Sequence, residues 1–157
     1  MLDLARVGVI GHSLGGAAAG QAVTDDPRVI AGVDLDGFMF GDLIDADSDA
    51  PFMYVSAARP WAGVGGSALT VFFERSAGPS YLVVIDGFEH STFTDLPLFL
   101  SVWPGEETEL DGERALGLQR AYVRAFFDRH LGGDAAPLLD GASPDYPEVA
   151  IRSRNVP

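Results

Sequence analysis

One serine stands in the sequence surroundings that nucleophilic catalysis requires. Ser13 lies in Gly11-His-Ser-Leu-Gly15, a G-x-S-x-G pattern between an apolar run and a run of small residues typical of a helix. Such a strand–turn–helix is a nucleophile elbow, whose sharp turn lifts a serine oxygen out of the top of a parallel sheet. We expect both Gly11 and Gly15 to be needed, because a Cβ there would collide with neighbouring backbone. The alternative interpretation is an ordinary glycine-rich turn.

The residue after this serine is predicted to supply an oxyanion-hole donor. The helix behind the elbow begins at Leu14, and its first free N–H groups, led by that of Leu14, point at any negative charge that develops on a substrate oxygen. This chemistry uses no cofactor and no metal ion. The sequence contains no cysteine, which excludes thiolate metal sites and disulfides.

A serine nucleophile needs a base, and the sequence offers three histidines. His12 is held inside the elbow beside the serine, where its ring cannot easily swing onto the hydroxyl. His130 falls in the last turn of a long predicted helix, where a cation suits the helix dipole. His90 follows a predicted strand at the same sheet edge as the elbow. By elimination we predict His90 as the general base.

The acid that orients this base is also found by elimination. In the elbow family the order along the chain is Ser, then Asp, then His, and the acid often follows the strand before the histidine strand. Here residues 51–73 contain no Asp or Glu. The previous strand ends in Asp34-Leu-Asp-Gly37, and Asp36 at its tip is better placed than Asp34 inside the strand. Asp86 and Glu89 remain rivals because they are close to His90 in sequence.

Several further residues are candidates for a substrate pocket, although burial in the core is an equally good interpretation for the apolar ones. They are His12, Phe38, Met39, Phe40, Trp61 and Phe88.

The elements that must position these residues alternate between strand and helix. Strands are predicted at 5–10, 29–35, 51–57 and 81–85, and helices at 14–23, 67–76 and 113–131, with 91–102 partly helical. Alternation of this kind predicts βαβ units and a parallel sheet, which is an α/β fold of about four parallel strands with flanking helices. We expect residues 1–133 to form the domain and the proline-rich residues 134–157 to form an extended surface tail.

Composition restricts the class of protein and of partner. The chain has 157 residues, of which 47% are hydrophobic, as expected of one globular domain. All ten basic residues are arginine, and the net charge of −13 argues against nucleic acid or an anionic membrane surface as a partner. We see no apolar run of the roughly 18 residues that a membrane span needs. The first residues do not resemble a signal peptide, and the compartment stays open.

The chain resembles the platelet-activating-factor acetylhydrolase group of the α/β-hydrolase superfamily, with its bacterial lipase and dienelactone-hydrolase relatives. The resemblance rests on Gly11–Gly16, on Val33–Phe40 and on Gly87–Asp95, and it continues into residues 125–140. It implies a serine hydrolase of carboxylic esters with a Ser-His-Asp triad. In that group the acid follows the strand after the elbow, which corresponds to Asp36.

The resemblance covers only the C-terminal half of that fold, so we expect a partial α/β-hydrolase fold. The elbow strand would then have a neighbour on one side only, leaving the edge Arg6–Ile10 free to pair. We expect a homodimer, or completion by another chain, through this edge. Two functions follow as hypotheses: an esterase, or a weakly active half-domain that acts as an assembly or binding partner.

Overall fold

A single mixed sheet forms the centre of the structure, a computed structural model that describes residues 3–46, 48–58, 64–102 and 110–156, apart from the side chains of residues 44 and 64–69. The strands follow one another in sequence order across the sheet: β1 (Val7–His12), β2 (Val29–Leu35), β3 (Phe52–Ala57), β4 (Ser80–Ile85) and β5 (Val149–Arg154). The first four are parallel, and β5 is antiparallel to β4. The predicted α/β class and the four parallel strands are therefore confirmed, and β5 is an antiparallel addition to them.

The described residues form four α-helices, of which the first two connect parallel strands, β1 to β2 and β3 to β4, and the other two lie between β4 and the antiparallel β5. They are α1 (Leu14–Asp25), α2 (Val64–Arg75), α3 (Leu96–Ser101) and α4 (Gly112–Phe127), and α4 continues as a π-helical turn at Asp128–Gly132. Short 3-10 turns lie at Gly41–Asp45, His90–Phe93 and Pro137–Leu139. Asp111 caps α4, since its carboxylate accepts the N–H groups of Glu113 and Arg114.

Both faces of the sheet are covered, and this is why the central strands read as nearly continuous apolar runs. On one face Leu118, Tyr122 and Phe126 of α4 pack in a cluster with alternate residues of the strands, among them Val33 of β2. On the other face a second cluster joins Val23 of α1 to side chains of β3 and α2. Because successive side chains of a strand point to opposite faces, the neighbours of Val33 face α1, and one of them is Asp34.

The expected surface tail is wrong at its far end. Residues Val149–Arg154 form β5 and pair with β4 along its whole length, from Ser80 to Ile85. Val149 is buried, whereas Arg152 and Ser153 face solvent. With only two large apolar side chains among six residues, the segment carries a weak period-two signal, and pairing with a strand already present is what makes it a strand.

No helix in the part of the chain that the structure describes combines the length and apolar character needed to cross a membrane.

Candidate active site

The turn between β1 and α1 is an elbow in geometry as well as in sequence. Ser13 has φ 59° and ψ −121°, a strained backbone for a residue other than glycine. Its own N–H donates to the Leu35 carbonyl at 3.0 Å, which ties the elbow to the end of β2. A Cβ at Gly11 would overlap the Gly15 carbonyl. The expectation for Gly15 itself is wrong, because a Cβ there would meet no atom within 4 Å.

Leu14 is the first residue of α1, so its N–H has no partner one turn earlier in the helix. The carbonyl of Ser13 is engaged instead by Gly16 N–H, at 2.9 Å. Because α1 begins directly after Ser13, the Leu14 N–H lies next to the serine in the chain, where it can donate to an oxyanion.

The loop after β4 brings His90 to Ser13. Its Nε2 lies 3.0 Å from Ser13 Oγ, and its Nδ1 lies 2.7 Å from Asp36 Oδ2. Because a carboxylate only accepts hydrogen bonds, Nδ1 carries the proton and donates to Asp36. Nε2 then presents its lone pair to the hydroxyl of Ser13, which is the arrangement that a general base requires.

Asp36 is held in place by the two neighbouring strands. It has φ 50°, directly after β2, and its N–H donates to the Val55 carbonyl of β3 at 2.8 Å. Its Oδ1 accepts the N–H of Ala57 at 3.0 Å, with the hydroxyl of Ser56 at 3.4 Å. Only 4% of Asp36 is exposed. The Asp36 carboxylate is thus buried, with Oδ1 bonded to the backbone of β3 and Oδ2 bonded to His90.

The rival acids lie elsewhere. Glu89 is exposed and takes part in a capping box with Thr92, closing the 3-10 turn that starts at His90. Asp86 is exposed, and its N–H donates to the Glu148 carbonyl. Asp34 is buried and bonds to Gly37, not to the histidine.

His12 contacts the loop of His90 rather than an open pocket. Its Nε2 lies 3.0 Å from the His90 carbonyl oxygen, and the two rings are 4.6 Å apart. Since a carbonyl can only accept, Nε2 of His12 donates. Burial lowers the pKa of His12, and the neighbouring His90 adds to this. Sequence reasoning missed this structural contact, because no pattern reports which loop lies over a side chain.

His130 lies away from the elbow, as the elimination required. Its Nε2 is 3.1 Å from the Tyr81 hydroxyl, and its ring packs 4.8 Å from that of Phe126. Burial, with the charge of Arg129 as a second cause, lowers the pKa of His130 to about 4. Burial thus opposes the cation that the helix dipole would favour at this position.

Two of the predicted pocket residues belong to the core. Met39 is 1% exposed within the cluster beneath α1, and Phe88 is 3% exposed against Phe93. Both follow strands that enter the core, so burial explains their apolar character. Phe38 and Phe40 are partly exposed with ring centroids 5.5 Å apart. Trp61 lies outside the described residues.

Beside the elbow an apolar groove of about 450 Å³ runs along α1. It is lined by Leu14, Ala17, Ala18, Gln21, Ala22, Asp25, Phe40 and Leu43. Of the predicted pocket residues that the structure describes, Phe40 lines this groove. Among the residues that the structure describes, no three His, Asp or Glu side chains gather as a metal site would require.

Comparison with known proteins finds one family over most of the chain. The family described as platelet-activating factor acetylhydrolase, isoform II, matches residues 1–136. A probable 1-alkyl-2-acetylglycerophosphocholine esterase of Arthroderma benhamiae is 28% identical over an alignment of 167 residues, gaps included. The alignment covers 94% of this chain and 43% of that protein. The platelet-activating factor acetylhydrolase of Cavia porcellus is 25% identical over 139 residues, which cover 85% of this chain and 32% of that one.

A solved structure has the same arrangement of elements. Ferulic acid esterase from Streptomyces cinnamoneus matches with a TM-score of 0.86 and 32% sequence identity, over 96% of this chain and 47% of that chain. This chain thus spans less than half the length of each of these relatives.

Proposed function

Since the chain belongs to the platelet-activating factor acetylhydrolase isoform II family, we propose that it hydrolyses carboxylic esters with Ser13 as nucleophile, His90 as general base and Asp36 as the acid that orients His90. The observation that carries the proposal is the continuous pair of hydrogen bonds, 3.0 Å from Ser13 Oγ to His90 Nε2 and 2.7 Å from His90 Nδ1 to Asp36 Oδ2. Relatives named as esterases support the same class of reaction.

The proposed reaction has two halves. Ser13 Oγ attacks the ester carbonyl while His90 Nε2 takes its proton, and the N–H of Leu14 donates to the oxyanion. His90 then returns the proton to the leaving alcohol, and an acyl-serine remains. In the second half His90 Nε2 takes a proton from water, whose oxygen attacks the acyl carbon. As the bond from that carbon to Ser13 Oγ breaks and the carboxylic acid leaves, His90 returns this proton to Ser13 Oγ. Throughout, the Asp36 carboxylate stabilises the imidazolium and keeps Nδ1 protonated.

Hydrolysis of p-nitrophenyl acetate tests this proposal. Ser13→Ala should abolish the esterase activity of the chain, because the nucleophilic oxygen is removed and the neighbouring backbone is kept. Ser153→Ala, at an exposed position of β5, is the matched control and should hydrolyse the ester like the wild type. Equal activity in Ser13→Ala and the wild type would contradict the proposal.

The second candidate is a half-domain that assembles with another chain and hydrolyses little. It is favoured by β1, which in the described sheet pairs with β2 alone. A fluorophosphonate probe separates the two functions, since it reacts only with an activated serine. Labelling of folded protein at Ser13 supports the hydrolase, and folded protein left unlabelled there supports the assembly partner.

A further inference from the structure

The most unusual buried group outside the three proposed catalytic residues is the carboxyl of Asp34. It is 1% exposed, on the face of β2 that α1 covers. Its Oδ1 accepts the N–H of Gly37 at 2.7 Å, while Oδ2 has no hydrogen-bond partner among the described residues. Tyr54, its cross-strand neighbour on β3, has a buried hydroxyl that is likewise unpartnered within the described residues. Burying such groups is unfavourable, so a merely structural position would favour an apolar residue.

The hydrogen bond to Gly37 spans the turn that carries Asp36. Residues 34 to 37 leave β2 through Asp36, which has φ 50° and is strained for a residue with a side chain. The Asp34 carboxyl closes this turn from the inside, three residues along the chain, as an Asx side chain does in many turns. Without the acceptor, the turn would lose the contact that fixes its last N–H.

The same carboxyl also touches the elbow. A Cβ at Gly16, in the first turn of α1, would overlap the Asp34 carboxyl group. A Cβ at Gly37 would meet both Asp34 Oδ1 and the carbonyl oxygen of Ser13, the latter at 2.5 Å. The carboxyl of Asp34 is thus wedged between the turn of the proposed acid and the helix that follows the proposed nucleophile.

From these contacts we propose that Asp34 is a positioning residue: its carboxyl sets the Asp36 turn against the elbow, so that Asp36 Oδ2 reaches His90 Nδ1. This inference rests on the proposed function for its effect on rate, but the placement of Asp36 can be measured without turnover. Asp34 itself touches no reacting atom. Its contribution is to the geometry of the acid and, through it, of the base.

Three substitutions separate the acceptor from the volume of the side chain. Asp34→Asn keeps an acceptor oxygen for Gly37 N–H, and we expect kcat to stay within about threefold of the wild type. Asp34→Ala removes the acceptor, and Asp34→Leu removes it while filling the space. We expect kcat to fall about 10²-fold in either variant that folds, because a small misplacement of the acid carries to the base, with KM nearly unchanged.

Val33→Ala is the matched control. It truncates the adjacent residue of β2, which is fully buried on the opposite face of the sheet. It should destabilise the strand and leave kcat per folded molecule unchanged. Loss of kcat in Val33→Ala equal to that in the acceptor-free variants would show that general loosening of β2 is responsible, and would overturn the inference.

The second readout is the deshielded Nδ1 proton of His90 in the NMR spectrum, which reports its hydrogen bond to Asp36. We expect this signal to persist in Asp34→Asn and to shift or vanish in Asp34→Ala and Asp34→Leu. If it stays at the wild-type position in the acceptor-free variants, the inference is wrong, whatever their activity. If the signal responds to the three substitutions as expected but the wild-type chain hydrolyses no ester, the proposed function fails and the positioning role stands.

Discussion

At the scale of single residues, two strained backbones carry the side chains that meet at the site. Ser13 and Asp36 both have positive φ angles, and a backbone hydrogen bond from Ser13 to Leu35 joins the two turns. Strain of this kind costs about 1–3 kcal/mol per residue and persists where the surroundings over-determine the conformation. Here the surroundings are strands β1, β2 and β3, all parallel and all ending at the same edge.

Asp36→Asn tests the orientation of the base. The amide matches the carboxylate in shape, but it cannot stabilise an imidazolium, and it can hold His90 in the wrong tautomer. We expect kcat for p-nitrophenyl acetate to fall about 10²–10⁴-fold with the fold intact by circular dichroism. Asp86→Asn, on the exposed loop before His90, is the control and should keep full activity. If the outcomes of the two variants were exchanged, Asp36 would not be the acid.

The pH dependence of stability provides a separate prediction for Asp34. Burial, with the charge of Asp36 as a smaller cause, raises the pKa of Asp34 to about 7, and the Gly37 N–H opposes this. In the unfolded chain an aspartate has a pKa of about 3.9. Between these values the folded state alone binds the proton, so this group contributes stability at low pH that is lost as the pH rises towards 7.

The Tm of the wild type relative to Asp34→Asn should therefore rise as the pH is lowered from about 7 to about 4. The titratable neighbours of Asp34 are Asp36 and the hydroxyl of Tyr54, and both remain in the variant. Thermal unfolding followed by circular dichroism measures the difference. A constant difference in Tm across this window would contradict the raised pKa.

At the scale of elements, the sequence predicts those strands, helices and turns whose formation depends on residues close together in the chain. The four parallel strands and the helix after the elbow follow from apolar runs bounded by glycine and proline, and the base follows from eliminating two of three histidines. The sequence predicts Asp36 as the acid because residues 51–73 contain no Asp or Glu. The catalytic roles themselves stay predictions.

What the sequence could not predict depends on contacts between distant segments. The strand β5 exists because β4 offers it an edge. Met39 and Phe88 were wrong as pocket candidates because the sequence alone does not distinguish an apolar side chain buried in the core from one that lines a cleft. The close approach at Gly16 instead of Gly15 depends on the Asp34 carboxyl, 18 positions further along the chain.

Val149→Ala tests the correction of the tail. Val149 is 6% exposed and packs in the cluster with α4 and the sheet. We expect the free energy of unfolding to fall by about 1–3 kcal/mol, through lost burial and a residual cavity. Ser153→Ala, at an exposed position of the same strand, should change it by less than about 0.5 kcal/mol. Denaturant unfolding gives both values, and equal stability of wild type and Val149→Ala would instead favour a loose surface tail.

At the scale of the whole molecule, the two edges of the described sheet differ. One edge is β5, a short strand with arginines at two of its six positions, which discourages pairing with another strand. The other is β1, which carries no charge in Val7–His12 and pairs with β2 alone in the described sheet. A groove of about 640 Å³ beside β1 is lined by Leu4, Phe127 and Leu131, among others.

We therefore predict that the chain associates through β1, most simply as a two-fold dimer. Size-exclusion chromatography with light scattering should give a mass above the 16.6 kDa of one chain at micromolar concentration. Ile10→Arg, at a half-exposed position of β1, should shift the chain towards the monomer. Val71→Arg adds the same charge to the exposed face of α2 and should not. A wild-type monomer that unfolds cooperatively and binds no hydrophobic dye would contradict the prediction.

The hydrogen bond between the Ser13 N–H and the Leu35 carbonyl has a consequence for engineering the protein. Because it joins the ends of adjacent parallel strands, we expect the proposed nucleophile and the proposed acid to keep a separation that is set by the sheet. The histidine comes from a separate connection, steadied by the His12 side chain and by a bond from Gln119 to the Thr92 carbonyl. A protein engineer can thus redesign that one connection, in length or in composition, while the other half of the machinery stays in register.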